Sequence, residues 1–215
     1  IGNKDWDSGL NPGFVFSFEY PGGPAWKVNI GDGNERADAN GDGGVSDDQW
    51  HTLSCSFDRD GMMRLYTDGV FSSEEDISGI GSIDVGSGWF FGSDILGAYS
   101  YSGAIAEVRF WHGVLTDDAI SNWHCSALDA SHPNWNALQA HWSLTEGAGL
   151  EASNSANSGL EGALQGAEWQ QPESLITFDY SNTPRIVDIA ATAMDHMCLE
   201  LDSDWNLDGI SWVDG

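Results

Sequence analysis

The amino-acid sequence predicts a mainly β protein, a β-sandwich with a short α-containing segment at its C-terminal end. Apolar and polar residues alternate with a period of two over several short runs, which is typical of strands that bury one face. The 27 glycines lie mostly between these runs, as tight turns require. With 40% hydrophobic and 12% aromatic residues, the chain has enough apolar side chains to form a packed core.

The predicted strands follow one another through the first two-thirds of the chain. They cover approximately residues 14–20, 26–30, 53–57, 62–67, 88–92 and 104–111. Asp60-Gly61 and Asp68-Gly69 flank the fourth run and favour tight hairpin turns. After the last run, Thr116 can cap a short helical turn. Its first two positions are aspartates, and a helix N-terminus favours negative charge.

The composition changes near Ser126. Residues 138–144 predict one further strand, and a stretch rich in small residues leads to Pro172, which is a plausible break. Beyond it the apolar residues recur at spacings of three and four, with Thr183 as a possible N-cap and Pro184 in the first helical position. The end of the chain is therefore predicted to contain an amphipathic helix.

The charge balance excludes several kinds of partner. The 34 acidic residues outnumber the seven basic ones, for a formal net charge of −27. Nucleic acid is not expected as a partner because its phosphates would be repelled, and anionic membranes and acidic polysaccharides are disfavoured for the same reason. No apolar stretch approaches the ~20 residues that cross a bilayer. The charge has two open explanations: a solvated surface suited to high salt, and carboxylates that bind Ca²⁺.

A calcium site is predicted between the second and third strand regions. Residues 38–49 have the oxygen spacing of an EF-hand loop, but Gln49 stands where that loop carries a bidentate glutamate. An ordinary polar connection explains the same residues, and so does a calcium site of another geometry. The candidate metal ligands have oxygen-bearing side chains: Asp32, Asn34, Asp38, Asn40 and Asp42.

Three aromatic residues are candidates for ligand binding. Trp6 lies between two aspartates in a loop, and Tyr99 and Tyr101 lie near the entrance of a strand. An exposed aromatic ring can stack on a sugar, although a structural role is the simpler explanation. Other tryptophans, such as Trp26 and Trp142, fall in strand patterns and are expected in the core.

No catalytic motif is recognisable in the sequence. It contains no Walker-type phosphate loop, no Gly-x-Ser-x-Gly elbow and no Cys-x-x-Cys pair, and its six histidines do not have zinc-site spacing. The three cysteines allow at most one disulfide, and buried free thiols are the expected state.

Residues 1–125 resemble laminin-G-like domains, which have a concanavalin A-like or pentraxin-type jelly-roll fold. Four segments carry the resemblance, in order: 3–9, 50–61, 65–69 and 103–120. Such domains usually begin with strands that precede the segment starting at Ile1, and a stretch similar to that opening occurs at residues 138–164. The resemblance implies that residues 126–172 complete the sandwich. The other possibility is that they begin a degenerate second repeat.

Residues 173–215 resemble the C-terminal end of alkaline-phosphatase-superfamily hydrolases, which include phosphodiesterases, nucleotide pyrophosphatases and sulfatases. The resemblance rests on residues 183–193 and 205–209, but Cys198 stands where that family usually ends the helix with a glycine. It implies that the catalytic half of the same protein lies upstream. The divalent metal ions of such an enzyme would be bound outside this chain.

These observations predict a non-catalytic binding module of a metal-dependent phosphoester or sulfate-ester hydrolase. Its expected ligand is a glycan or a protein surface, bound outside the cell, at the cell surface or in the periplasm, with Ca²⁺ as a possible cofactor. Two alternatives are a structural or adhesive surface protein, and a jelly-roll glycanase with a pair of catalytic carboxylates.

Overall fold

The computed structural model describes residues 1–18, 25–156 and 159–170 and shows a mainly β fold. The secondary structure consists of short strands with one α-helix among the described residues. The elements are β1 (Gly13–Phe18), β2 (Trp26–Gly31), β3 (Arg36–Asn40), β4 (Leu53–Phe57), β5 (Met62–Thr67), β6 (Val70–Asp76), β7 (Val108–Trp111), α1 (Asp117–Trp123), β8 (Leu138–Trp142), β9 (Glu151–Ala152) and β10 (Gly162–Ala163). No helix in the described ranges has the length and apolar character needed to span a membrane.

Two antiparallel sheets of three strands form the main sandwich. The first has the order β1-β2-β3 and the second β4-β5-β6. Their apolar faces meet in a buried cluster that contains Val28 and Ile30 from β2 and Met63 and Leu65 from β5. The sheets also approach each other at β3 and β6, where the Ser73 hydroxyl donates to the Asn40 carbonyl oxygen. This arrangement leaves the opposite face of the first sheet outside the main core.

A second apolar cluster joins β7 to the later part of the chain. β7 pairs antiparallel with β8, so that Val108 lies opposite Trp142, and both residues are buried with Ala140 and Ala152. The strand predicted at 138–144 is thus present and pairs with the strand that precedes the helix. The segment boundaries at residues 125 and 172 stay predictions.

The predicted local signals at two turns are confirmed. Asp68 and Gly69 form the two-residue connection between β5 and β6, both with positive φ (51° and 75°), which is the backbone geometry of a type I′ hairpin turn. Thr116 is the N-cap of α1, and its hydroxyl accepts a hydrogen bond from the Ala119 N–H at 3.2 Å.

Other sequence-based expectations need correction. The run at 88–92 forms only an isolated bridge between Phe90 and Gly2, and β7 begins at Val108 rather than near residue 104. Cys55 is a free thiol as expected, but Cys125 is disulfide-bonded. The predicted C-terminal helix also lies outside the described residues.

Candidate ligand-binding face

The outer face of the first sheet carries a group of charged and polar side chains. Residues that alternate with the buried ones point to this face, because successive side chains of a strand lie on opposite sides. The register places Asn29 opposite Asp38 and Gly31 opposite Arg36. We call the following five residues the polar layer: Lys4, Lys27, Asn29, Arg36 and Asp38.

The N-terminal segment covers this layer. The Lys4 ammonium donates to the Gly9 carbonyl oxygen at 2.9 Å and to the Asn29 side-chain oxygen at 2.5 Å. Gly31 permits the close approach, because a Cβ there would lie 2.8–2.9 Å from the carbonyl oxygens of residues 9–11. Lys4 is therefore 1% exposed and Asn29 is fully buried.

Burial changes the ionisation of Lys4. Removal of the ammonium from water lowers the pKa of Lys4 to about 8, although the negative charge of Asp38 partly opposes this shift. The positive charge of Arg36 lowers the pKa further. The polar layer is thus an electrostatically coupled group of one buried ammonium, two more exposed cations and one carboxylate.

Asp38 links the exposed cations of the layer. Its carboxylate lies 3.5 Å from the Lys27 ammonium and 3.2 Å from the Arg36 guanidinium, and it accepts a hydrogen bond from the Asn29 amide at 3.0 Å. Each carboxylate contact here is with a cation or an amide donor. Asp38 consequently acts as the counter-ion of the polar layer.

Trp6 lies over two cations of the polar layer, Lys4 and Lys27. The centroid of its indole ring is 5.2 Å from the Lys27 ammonium and 5.7 Å from the Lys4 ammonium, within the range of cation–π contacts. The side chain is partly exposed. The indole is therefore held at the surface by charges beneath it and is not part of either apolar cluster.

One buried carboxylate joins the Trp6 loop to the loop that carries Tyr99. Asp94 is 5% exposed and accepts backbone N–H groups from Trp6 at 3.4 Å, Leu96 at 3.0 Å and Ala98 at 2.8 Å. Tyr99 follows directly, with a positive φ of 52° and 63% exposure. The structure thus brings the loops of two predicted ligand-binding residues, Trp6 and Tyr99, together at Asp94.

Tyr101, the third predicted aromatic residue, is engaged differently. Its ring stacks on Phe18 with the centroids 5.7 Å apart, and its N–H donates to the Gly92 carbonyl oxygen. Phe18 lies on the core-facing side of the first sheet and packs against the buried apolar cluster. Tyr101 therefore lies on the other side of that sheet from the polar layer.

The five predicted metal ligands do not surround one point. Asp32 and Asn34 precede β3, whereas Asp42 follows it, and a five-residue strand is about 16 Å long. Asp38 and Asn40 lie within β3, so the proposed EF-hand loop would begin inside a strand. The sequence suggested a loop here because the core-facing residues of β3 are only alanines.

The carboxylates of this set already have protein partners. Asp32 accepts N–H groups from Asn34, Glu35 and Gly81, and these hydrogen bonds lower the pKa of Asp32. Asp42 accepts the Ser72 hydroxyl at 2.9 Å. Asp38 is the least suitable metal ligand, because two cations contact it and would repel Ca²⁺. Among the described residues, no group of three or more His, Cys, Asp or Glu side chains could hold a metal ion.

Two histidine networks lie away from this face. His141 contacts Glu107 at 3.0 Å and the Ser155 hydroxyl at 2.7 Å, and Glu107 also pairs with Arg109. These contacts connect β7 and β8 to the segment after β9. His51 bridges Asp68 and Asp47; although burial lowers the pKa of His51, the hydrogen bonds to the two aspartates raise it above its usual value.

Sequence reasoning missed the residues that organise the face. Lys4, Lys27 and Arg36 are separated in sequence and match no motif, and Asp94 resembles the many other loop aspartates of the chain. The only available signal was the scarcity of basic residues, since each of seven cations in so acidic a protein deserves a specific explanation.

Comparison with known families agrees with the fold. The family model that matches is described as the concanavalin A-like lectin/glucanases superfamily, in its laminin-G-like form, and it matches residues 3–121. No curated protein and no solved structure matches the chain. The matched range is more than half of the chain and contains the polar layer, Trp6 and Tyr99. The chain therefore belongs to the laminin-G-like family of the concanavalin A-like superfamily.

Proposed function

We propose that this chain is an extracellular carbohydrate-binding module, and that the face formed by Trp6, Tyr99 and the polar layer binds the glycan. The observation that carries the proposal is the junction at Asp94, where one buried carboxylate holds both aromatic loops. A binding site needs aromatic surface beside fixed polar groups, and this face supplies both.

Two features support a location outside the cytosol. Laminin-G-like domains are typically extracellular, and the chain belongs to that family. Cys125 is disulfide-bonded, and disulfides persist mainly in oxidising compartments. The more specific assignments, to the cell surface or the periplasm, belong to the proposal.

We also propose that the module serves a metal-dependent phosphoester or sulfate-ester hydrolase as a non-catalytic part. The support is the resemblance of residues 173–215 to the end of alkaline-phosphatase-superfamily enzymes, and these residues lie outside the described ranges. In this arrangement the face would keep the enzyme near a glycan, while hydrolysis would occur at metals bound elsewhere.

The binding proposal is tested by glycan-array screening followed by calorimetry on purified protein. Trp6→Ala and Tyr99→Ala should each weaken the binding of a glycan hit at least about fivefold, as expected for aromatic residues at the centre of an interface. Trp50→Ala is the matched control, because Trp50 is 61% exposed and precedes β4, a strand of the other sheet.

The outcomes separate the possibilities. Equal losses in all three variants, or none in the Trp6 and Tyr99 variants, would place the glycan elsewhere on the protein and contradict the proposed face. A chain that binds no glycan contradicts the proposal altogether and favours a protein ligand. Thermal melts of each variant show whether a loss of binding reflects a loss of folding.

A further inference from the structure

We propose that His51 is a pH-sensitive switch that controls the order of the loop between β3 and β4. The imidazolium form of the ring bridges Asp47 in this loop and Asp68 in the turn between β5 and β6. When the ring loses a proton, the contact with Asp47 opens and residues 46–50 are released. This inference concerns the second sheet and the loop that precedes it, so it does not depend on the proposed glycan-binding face.

The first support is the geometry of the two ring nitrogens. Nδ1 of His51 lies 2.7 Å from a carboxylate oxygen of Asp68, and Nε2 lies 3.0 Å from a carboxylate oxygen of Asp47. A neutral imidazole has one N–H donor and one lone pair, whereas an imidazolium has two donors. Only the imidazolium can donate to both carboxylates, because in the neutral ring one carboxylate faces a lone pair. The observed pair of contacts therefore depends on a proton at each nitrogen.

The electrostatic surroundings agree with this geometry. Burial lowers the pKa of His51, but the hydrogen bonds to Asp68 and Asp47 and the negative charges of both carboxylates raise it above its usual value. The N–H of Gln49, followed by the contact with His51, lowers the pKa of Asp47. Each group thus favours the charged form of its partner.

Two further titratable side chains lie on the elements around the ring. Asp48 adjoins Asp47 in the loop, and its negative charge also favours the imidazolium. His124, at the C-terminal end of α1, packs against Gly69 of the β5–β6 turn, and a positive charge there would oppose protonation of His51. The two carboxylates in direct contact with the ring outweigh these more indirect neighbours, because charge interactions weaken with distance.

The second support is that the two carboxylates differ in how firmly they are held. Asp68 is tied to Thr52 in both directions: its second carboxylate oxygen accepts the Thr52 N–H at 2.8 Å, and its own N–H donates to the Thr52 carbonyl oxygen at 2.8 Å. Asp47 has a local partner, the N–H of Gln49 two residues further along the loop. A neutral ring would therefore keep its single N–H on Asp68 and give up Asp47.

The third support is the backbone of the loop. Asp48, next to Asp47, has a positive φ of 67°, which is uncommon for a residue with a side chain and favours opening once the His51 contact is lost. The first half of the loop has other anchors, since Asp42 accepts the Ser72 hydroxyl and Val45 packs against the apolar cluster. Release is thus confined to residues 46–50.

The second histidine network provides a contrast within the same protein. His141 contacts the Glu107 carboxylate through Nε2 and the Ser155 hydroxyl through Nδ1. A hydroxyl can donate, so a neutral ring meets both partners, with one N–H toward Glu107 and one lone pair toward Ser155. A switch of the kind proposed needs two carboxylates on one ring, and His51 has them.

The test follows the ring and the loop of the full chain from about pH 5 to about pH 9, the range in which a histidine titrates. NMR measures the carbon-bound ring protons of His51, which are assigned by their loss in His51→Gln. The titration midpoint should lie above 6.5, the usual value. Amide hydrogen exchange of residues 46–50, corrected for its intrinsic pH dependence, should become at least about threefold faster through the same midpoint.

Asp47→Asn distinguishes the switch from a general effect of pH. Its amide can donate to the lone pair of a neutral ring, so the midpoint of His51 should fall and the loop should stay closed at high pH. His141→Gln is the control and should leave both the midpoint of His51 and the exchange of residues 46–50 unchanged. A midpoint in Asp47→Asn equal to that of the wild type would overturn the inference.

Urea denaturation of the wild type and of His51→Gln gives an independent measurement. A group whose pKa is raised by folding stabilises the protein below its unfolded pKa, and this stability is lost as the pH rises through the folded pKa. The ratio of the two unfolding constants should therefore change about tenfold for each pH unit by which the NMR midpoint exceeds 6.5. A ratio that is constant with pH, or exchange in residues 46–50 that ignores the midpoint, would show that His51 is no switch.

Discussion

At the centre of strand β2 both faces are buried, but they are built from opposite kinds of side chain. Val28 and Ile30 face the second sheet and are fully buried among apolar neighbours, whereas Asn29, between them, is fully buried against Lys4 and Asp38. The apolar side tolerates many partners because the hydrophobic effect is not directional. The polar side is stable only if each group finds its hydrogen-bond partner. The extent of burial therefore does not distinguish a residue of the core from a residue of the candidate site. The number of specific polar contacts that each residue makes does distinguish them.

The largest effect is expected on the apolar side. Trp26→Ala removes a side chain that is 1% exposed, stacks on Phe16 and donates to the Thr67 hydroxyl, so the free energy of unfolding should fall by about 3–5 kcal/mol. Urea denaturation at pH 7 measures the change. A loss below about 1 kcal/mol would mean that the sheets are not held by this cluster, which would remove the basis for comparing the two faces.

The second effect concerns the polar face, because the buried Lys4 should make the free energy of unfolding depend on pH. The pKa of Lys4 is lowered from 10.5 to about 8, so between these values the unfolded chain binds a proton that the folded chain does not. The free energy of unfolding should therefore increase by up to about 3 kcal/mol as the pH rises from 8 to 10.5. This gain is lost again as the pH falls through 8.

Lys4→Met isolates this contribution. The difference in unfolding free energy between wild type and variant, measured by urea denaturation at several pH values, cancels the titration of the tyrosines and of other groups. The wild type should gain stability relative to the variant across this window. A difference that stays flat with pH would show that the ammonium remains solvated and that the polar layer is not buried.

A smaller effect tests whether the polar side depends on matched partners. Asn29→Leu keeps a similar volume but leaves the Lys4 ammonium without its side-chain acceptor, and the expected loss is about 2 kcal/mol. Adding Lys4→Met to this variant should restore part of the loss, because the unsatisfied ammonium is removed. Strict additivity of the two single changes in a double-mutant cycle would argue against coupling between them.

The sequence predicted the apolar side of this comparison better than the polar side. The alternation in β2, β4 and β5 and the turn at Asp68-Gly69 are local, so they could be recognised from short windows. β3 was missed because its core-facing residues are the small Ala37 and Ala39, which give no visible apolar alternation.

The candidate site was predicted only in part, for a related reason. Trp6 and Tyr99 could be chosen by residue type and loop context, but the contact between Lys4 and Asn29 joins residues 25 positions apart, and the contact between Trp6 and Asp94 spans 88. Such pairings depend on which strands become neighbours. A pattern of residue types does not contain this information, and for the same reason the contacts of Asp38 with Lys27 and Arg36 could not be predicted.

The smallest expected effect concerns calcium. Because the carboxylates of Asp32, Asp38 and Asp42 are held by backbone groups, cations and a hydroxyl respectively, Ca²⁺ should raise the Tm no more than NaCl at matched ionic strength, apart from general screening of the acidic surface. Thermal melts in both salts, with calcium calorimetry, measure this difference. A saturable heat of binding together with a larger increase in Tm would reveal a specific calcium site, since a ligand of the folded state stabilises it in proportion to RT ln(1 + [L]/Kd). If Asp38→Asn then abolished that response, Asp38 would have to be a ligand of the ion, and the polar layer would have to rearrange so that Lys27 and Arg36 no longer contact this carboxylate.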